Sequence, residues 1–120
     1  MGLMYVTVSV RVPGAPAAGF EGRFLVDTGA TDSMAPAFRL VEAGIQPVGR
    51  TACELADGTV HEYPFGLAQI EFMGEVTAGR IIFGPEYVEP ILGVTALESV
   101  GVMLDLTTRT LERLPAVPLK

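Results

Sequence analysis

One cysteine, one histidine and no tryptophan occur among the 120 residues, and each scarcity closes off a class of chemistry. Cys53, the single thiol, has no partner for a disulfide within the chain, and with His61 as the only imidazole neither a multi-histidine site nor a Cys/His zinc cage can be built from one copy. Metal and other cofactors are not expected. Basic residues are few as well: eight Lys and Arg stand against fourteen Asp and Glu, a net charge of -6 that is the wrong sign for neutralising phosphates. Nucleic acid is therefore not an expected partner. No apolar run approaches the roughly 20 residues that span a bilayer, so no membrane span is expected either. The start Met1-Gly2-Leu3-Met4-Tyr5-Val6 carries neither a basic n-region nor the hydroxyl residue of a myristoylation signal. A cytoplasmic location follows as the expectation, for a chain from which no anchor has been trimmed.

What is abundant is apolar: 49% of the residues are hydrophobic and only 18% charged, a balance that favours burial over disorder. The length suits one domain over 1–120, with a loose tail from about 116 to 120. Residues 4–12 alternate Met4, Val6, Val8, Val10 and Val12 with polar side chains, the period of two of a half-buried strand. Pro13-Gly14-Ala15-Pro16 breaks it, and Phe20 to Val26 resumes an extended pattern. Further strands are expected over Thr51–Ala56, Thr59–Tyr63, Leu67–Phe72, Val76–Phe83, Ile91–Leu92, Val102–Leu106 and Thr110–Leu114. Asp57-Gly58 predicts a two-residue type I′ turn. Two short helices fit the remainder: Pro36 to Ala43, with proline in the first turn and Gly44 at C′, and a segment opened by a capping box Thr95-Ala96-Leu97-Glu98 and closed before Gly101. The expected class is all-β, mainly strand with one or two short helices.

Phe24-Leu25-Val26-Asp27-Thr28-Gly29-Ala30-Thr31 sets an acid at the end of an apolar strand, then a small hydroxyl residue, then glycine where backbone has to approach something closely. A carboxylate after three apolar residues is costly unless hydrogen bonds or charges compensate it, which marks Asp27 as a candidate functional group. Three elements in order, this segment, Leu55-Ala56-Asp57-Gly58-Thr59 and Ile91-Leu92-Gly93-Val94-Thr95-Ala96-Leu97-Glu98, make the chain resemble the retropepsin-like aspartic proteases, the bacterial members in particular, over roughly 23–114.

The resemblance implies a single-lobe acid-protease barrel closed as a homodimer, because catalysis in that family needs two aspartates and this chain has one Asp-Thr-Gly. A twofold axis would set Asp27 of each copy face to face. One carboxylate would take a proton from water while the other donates to the scissile carbonyl, and the close pair would share a proton. Thr28, Gly29 and Ala30 would support the catalytic loop. Leu55, Ala56, Asp57, Gly58 and Thr59 would form the flap over a peptide or protein substrate, and Ile91, Leu92 and Gly93 would pack behind the loop. Ala30 brings no hydroxyl to the aspartates, so activity is expected at mildly acidic pH. Viral relatives pair an arginine after the glycine with an aspartate beyond the catalytic tripeptide. Val94 and Thr31 stand at those places, so the bracing differs. His61 reads as a solvated strand residue, Cys53 as a small filler, and Asp105 as an outward strand position. The alternative expectation is a catalytically silent dimeric module that binds peptide or protein.

Overall fold

The structure is a computed structural model that describes residues 3–15 and 19–119. Met1, Gly2, Pro16 of the expected break and Lys120 of the tail lie outside the described residues. Alternation along the first segment is realised as β1 (Tyr5–Arg11), whose Val8 and Val10 are fully buried while Thr7 is exposed and Ser9 turns away from the core. It pairs antiparallel with β2 (Gly19–Asp27), from Tyr5↔Leu25 to Arg11↔Gly19. The remaining elements are β3 (Ser33–Pro36), α1 (Ala37–Glu42), β4 (Gly49–Glu54), β5 (Val60–Phe72), β6 (Glu75–Gly84), β7 (Ile91–Gly93), α2 (Val94–Ser99), β8 (Val102–Asp105) and β9 (Thr110–Arg113). The protein is mostly β with two short helices, as its patterning predicts.

Seven strands follow one another in the order β1-β2-β7-β3-β6-β5-β4, and a further pairing of β1 with β5 over Ser9↔Glu71 to Arg11↔Gln69 closes six of them into a barrel. Closure removes the exposed edges that an open sheet of this size would present. An ion pair between Arg11 and Glu71 at 2.9 Å bridges the seam. Phe24, Ile70, Ile81, Leu92, Val8 and Val10 fill the interior, and each of the larger side chains contributes about 1.5–3 kcal/mol by leaving water.

Strand β5 differs from expectation in running unbroken through Pro64. Its first half pairs only with β4, from Glu54↔Val60 to Gly49↔Phe65, and its second half pairs with β6 from Phe65↔Ile82 onward. One strand therefore serves as hairpin arm and barrel wall. The β4–β5 connection is also not the expected type I′ turn. Gly58 N–H donates to the Leu55 carbonyl (2.9 Å), Leu55 N–H to the Thr59 carbonyl (2.8 Å), and of the tip residues Gly58 alone has positive φ (86°). This is a turn followed by a glycine bulge, which the right-handed twist of the arms accepts as readily. The left-handed pair appears instead at Met73 (φ 54°) and Gly74 (φ 75°), where β5 reverses into β6. Arg113 from β9 donates to the Met73 carbonyl there and lies 3.7 Å from Glu75.

Helix α1 ends as predicted: Gly44 (φ 87°) donates to Val41 and Ile45 to Leu40, a Schellman closure sealed by the burial of Leu40 and Ile45. Pro36 sits at the N-cap rather than inside the first turn. Helix α2 starts earlier than its sequence signal indicates. Gly93 is its N-cap, Thr95 lies within the first turn, and no side chain caps it. The capping box is not formed because backbone from elsewhere in the fold takes the free amides. The tail beyond β9 has no regular structure, although Leu114 N–H still bonds the Gly101 carbonyl (2.7 Å). Among the described residues no helix is long and apolar enough to cross a membrane.

Candidate active site

Strands β2 and β3 are consecutive in the chain, yet β7 lies between them, parallel to β2 (Leu25↔Ile91, Val26↔Leu92, Asp27↔Gly93) and antiparallel to β3 at Met34↔Ile91. The connection from Thr28 to Asp32 therefore has to cross the end of β7. Asp27 is the last residue of β2 and is half-buried, and the loop turns sharply after it. Its Oδ1 accepts the Gly29 N–H at 3.0 Å, and its carbonyl accepts the Ala30 N–H at 3.1 Å. Glycine suits the third position because a Cβ there would stand 3.3 Å from Asp27 Oδ1, crowding the carboxylate that its amide approaches. Thr28 and Gly29 are exposed, so the outer surface of the loop is open to a second body.

The underside of the loop is fully engaged. Val94 N–H donates to the Ala30 carbonyl (2.8 Å) and Thr95 N–H to the Thr31 carbonyl (3.2 Å), so the loop itself caps α2. Gly93 N–H donates to Ser33 Oγ at 3.0 Å, which satisfies the one polar residue in the buried set. A Cβ on Gly93 would lie 2.6 Å from the Asp32 carbonyl group and 2.7 Å from the Thr31 oxygen. Loop and β7 therefore meet backbone to backbone. Leu92 holds this contact from the core side with no exposure at all, and Ile91, half-buried, projects to the other face of the strand. Asp27 to Ala30 and Ile91 to Gly93, separate in sequence, are thus one assembly.

Leu55, Ala56, Asp57, Gly58 and Thr59 form the tip of the β4–β5 hairpin, and its hydrogen bonds run within the hairpin rather than to the Asp27 loop. Asp57 Oδ1 accepts the Thr59 N–H (2.9 Å) and hydroxyl (2.6 Å), bonds that hold the Asp57 carboxyl below the usual carboxylate range. Lower on the hairpin, Thr51, Cys53 and Leu55 are half-buried and alternate with exposed Ala52, Glu54 and Ala56. Burial pushes the Cys53 thiol up, the Asp32 carboxylate adds to this and Arg80 opposes it.

Two depressions flank the assembly. A small depression of about 40 Å³ behind the loop lies between Asp32, Ser33, Ile70, Arg80, Ala96 and Ser99, and there the Ser99 and Thr77 hydroxyls lie 2.7 Å apart. A larger apolar groove of about 540 Å³ opens beside Val26, the residue before Asp27, between Leu3, Met4 and Leu106, with Arg23 and Arg109 on its rim. The sequence pattern does not single out Ser33, Asp32 or Arg80. A serine opening the apolar run Met34-Ala35 was the available sign. Asp105 is half-buried at the end of β8 and accepts the Thr107 and Thr108 amides (2.8 and 3.3 Å), a turn role rather than a chemical one.

No family model and no curated protein matches this chain. The chemistry open to the loop follows from its groups. It offers one oriented carboxylate, accessible residues after it at Thr28 and Gly29, and, among the described residues, no cluster of three or more His, Cys, Asp or Glu that would hold a metal ion. A lone carboxylate accepts one proton from water, and general acid–base hydrolysis needs a second group to deliver another.

Proposed function

We propose that the chain is half of an aspartic endopeptidase of the retropepsin-like kind, active as a homodimer in which Asp27 of each copy faces the other across a twofold axis. The ionised member takes a proton from a water held between the two carboxyls, and the oxygen of that water attacks the scissile carbonyl. The protonated member donates to the carbonyl oxygen, giving a neutral tetrahedral adduct. Collapse of that adduct breaks the C–N bond and passes a proton to the leaving amine, which returns the pair to its shared-proton state. Thr28 and Gly29 line the loop surface that meets the partner and substrate, the tip 55–59 serves as flap, and an extended peptide lies between them, hydrogen-bonded through its main chain.

The observation that carries this reading is the loop 27–32. It is fixed from beneath by β7 and α2, open above, and its carboxylate is oriented by the Gly29 amide. Rigid support below and free surface above is what a catalytic carboxylate needs. The open apolar groove between Leu3, Met4, Val26 and Leu106 supports a dimer, since a second copy seated there would take it out of water. Digestion of a peptide library tests the proposal. Asp27→Asn should lower cleavage by about 10²-fold or more while fold and dimer persist, the range expected for removing a proton-transfer group. Specific activity should also fall on dilution below the dimer dissociation constant. Cleavage by a proven monomer, or undiminished cleavage by Asp27→Asn, refutes the mechanism. The second reading, a silent peptide-binding module, is favoured by the exposure of Thr28 and Gly29 alone, and it requires peptide capture without cleavage in both proteins.

A further inference from the structure

The only cysteine and the only histidine of the chain, eight positions apart in sequence, are brought directly opposite each other on the β4–β5 hairpin: Cys53 and His61 are Cα partners in the ladder. Residues directly opposite in an antiparallel pair project to the same face with Cβ atoms about 4.5–5.5 Å apart. One metal ion spans that gap, with a thiolate at about 2.3 Å and an imidazole nitrogen at about 2.0–2.1 Å. Both side chains are within reach of solvent, His61 exposed and Cys53 half-buried. The thiol makes only a long contact of 3.8 Å to the Thr51 carbonyl, which an incoming ion need not break a strong bond to displace. Pairs on both sides, Thr51↔Tyr63 and Glu54↔Val60, fix the register, so the two ligands are presented together. Asp57 interacts with His61, and both the Asp32 carboxylate and the Arg80 guanidinium interact with Cys53.

We propose that Cys53 and His61 form a two-ligand site for a borderline divalent cation of the Zn²⁺ class on the face of the hairpin they share, with water filling the remaining positions. Binding replaces the Cys53 S–H bond by a sulfur–metal bond and releases one proton to solvent, and the histidine contributes a nitrogen lone pair. No electron is transferred. Among the described residues no third Cys, His, Asp or Glu completes the set, so the site is an open chelate and not a closed structural cage. It clips the two arms of the hairpin together. The site contains none of the hydrolytic groups and stands whether or not the chain cleaves peptides.

Co²⁺ titrated into the reduced full chain is the direct probe, because a cobalt–thiolate bond gives a near-ultraviolet charge-transfer band. One equivalent per chain should develop the band, and Zn²⁺ should displace it. Cys53→Ser should abolish the band, His61→Ala should weaken Co²⁺ binding by more than about tenfold, and Asp27→Asn should leave it unchanged. Unaltered melting temperatures of the metal-free variants show that the hairpin substitutions leave the fold intact. Absence of the band in the wild type, or equal Co²⁺ affinity in His61→Ala, overturns the proposal, as does loss of binding in Asp27→Asn.

Discussion

The loop after β2 and the tip of the β4–β5 hairpin are built on the same local device. In each, an aspartate Oδ1 accepts the amide two residues ahead, Gly29 to Asp27 at 3.0 Å and Thr59 to Asp57 at 2.9 Å, with a glycine in the turn. Asp105 repeats it with Thr107 at 2.8 Å. Beyond that shared turn the first two diverge. Two helix amides and the Ser33–Gly93 bond seize the Asp27 loop from below, whereas the Asp57 tip is bonded only to itself. An Asx turn, cheap and common in loops, becomes a candidate catalytic loop only when the fold immobilises its underside. The same turn left on a projecting hairpin is suited to move.

Substitutions that release the braced loop, or stiffen the free tip, separate these two regions. The largest stability effect is expected from Gly93→Ala, whose methyl would press within 2.6 Å of Asp32 backbone. Overpacking against backbone rather than a flexible side chain should cost about 3 kcal/mol in urea denaturation and accelerate amide exchange at Val94 and Thr95. Unchanged exchange there would mean that the loop is not held by this contact. Ser33→Ala leaves the Gly93 amide without its acceptor in a buried position, and a loss of about 1–3 kcal/mol is expected, with the same exchange signature. Gly58→Ala meets no atom within 4 Å and suffers only from its left-handed backbone, a cost of about 1 kcal/mol confined to the hairpin. Its Val94 and Thr95 amides should exchange as in the wild type, and coupling between tip and loop would be revealed if they did not.

The smallest effect is one of pH. The bonds from Thr59 hold Asp57 below the ordinary carboxylate value, so the ionised form is the one favoured in the folded tip. Their stabilisation is complete above the unfolded value of about 3.9 and is lost as the pH falls through the depressed folded one. The Thr59 amide resonance should therefore hold steady through the mildly acidic range in which cleavage is expected and shift only in stronger acid. A transition of that amide near neutral pH would show that the Asp57 carboxylate does not control the tip.

The sequence made much of this legible, and its failures share a cause. Alternation over 4–12 marks β1 because one face of the barrel wall is buried and the other wet, and the Gly44 stop marks the end of α1 because the signal and the closing hydrogen bonds lie within a few residues. The capping box at Thr95 misleads because the N-cap of α2 lies two residues before it, at Gly93, and the first amides, those of Val94 and Thr95, are taken by the carbonyls of Ala30 and Thr31, which are remote in sequence. Asp57-Gly58 misleads in another way: the dipeptide suits two hairpin geometries, and the register of the arms chooses between them. The gap expected between the strands 59–63 and 67–72 does not occur: β5 runs on through Pro64, since proline is tolerated in a strand wherever its missing N–H is not required by the ladder.

What the chain's order of residues determines alone is local: which segments alternate, where turns fall, that Asp27 ends an apolar strand, and that Cys53 and His61 are single. Their neighbours were decided by the fold. Only the insertion of β7 between β2 and β3 sets Gly93 against the Asp27 loop, and only the register of β4 on β5 sets the thiol beside the imidazole. The physical reason is range. Dihedral preference and side-chain alternation act over a few residues, whereas the backbone hydrogen bonds and close packing that position these groups join segments tens of residues apart, and they exist only once the barrel has closed.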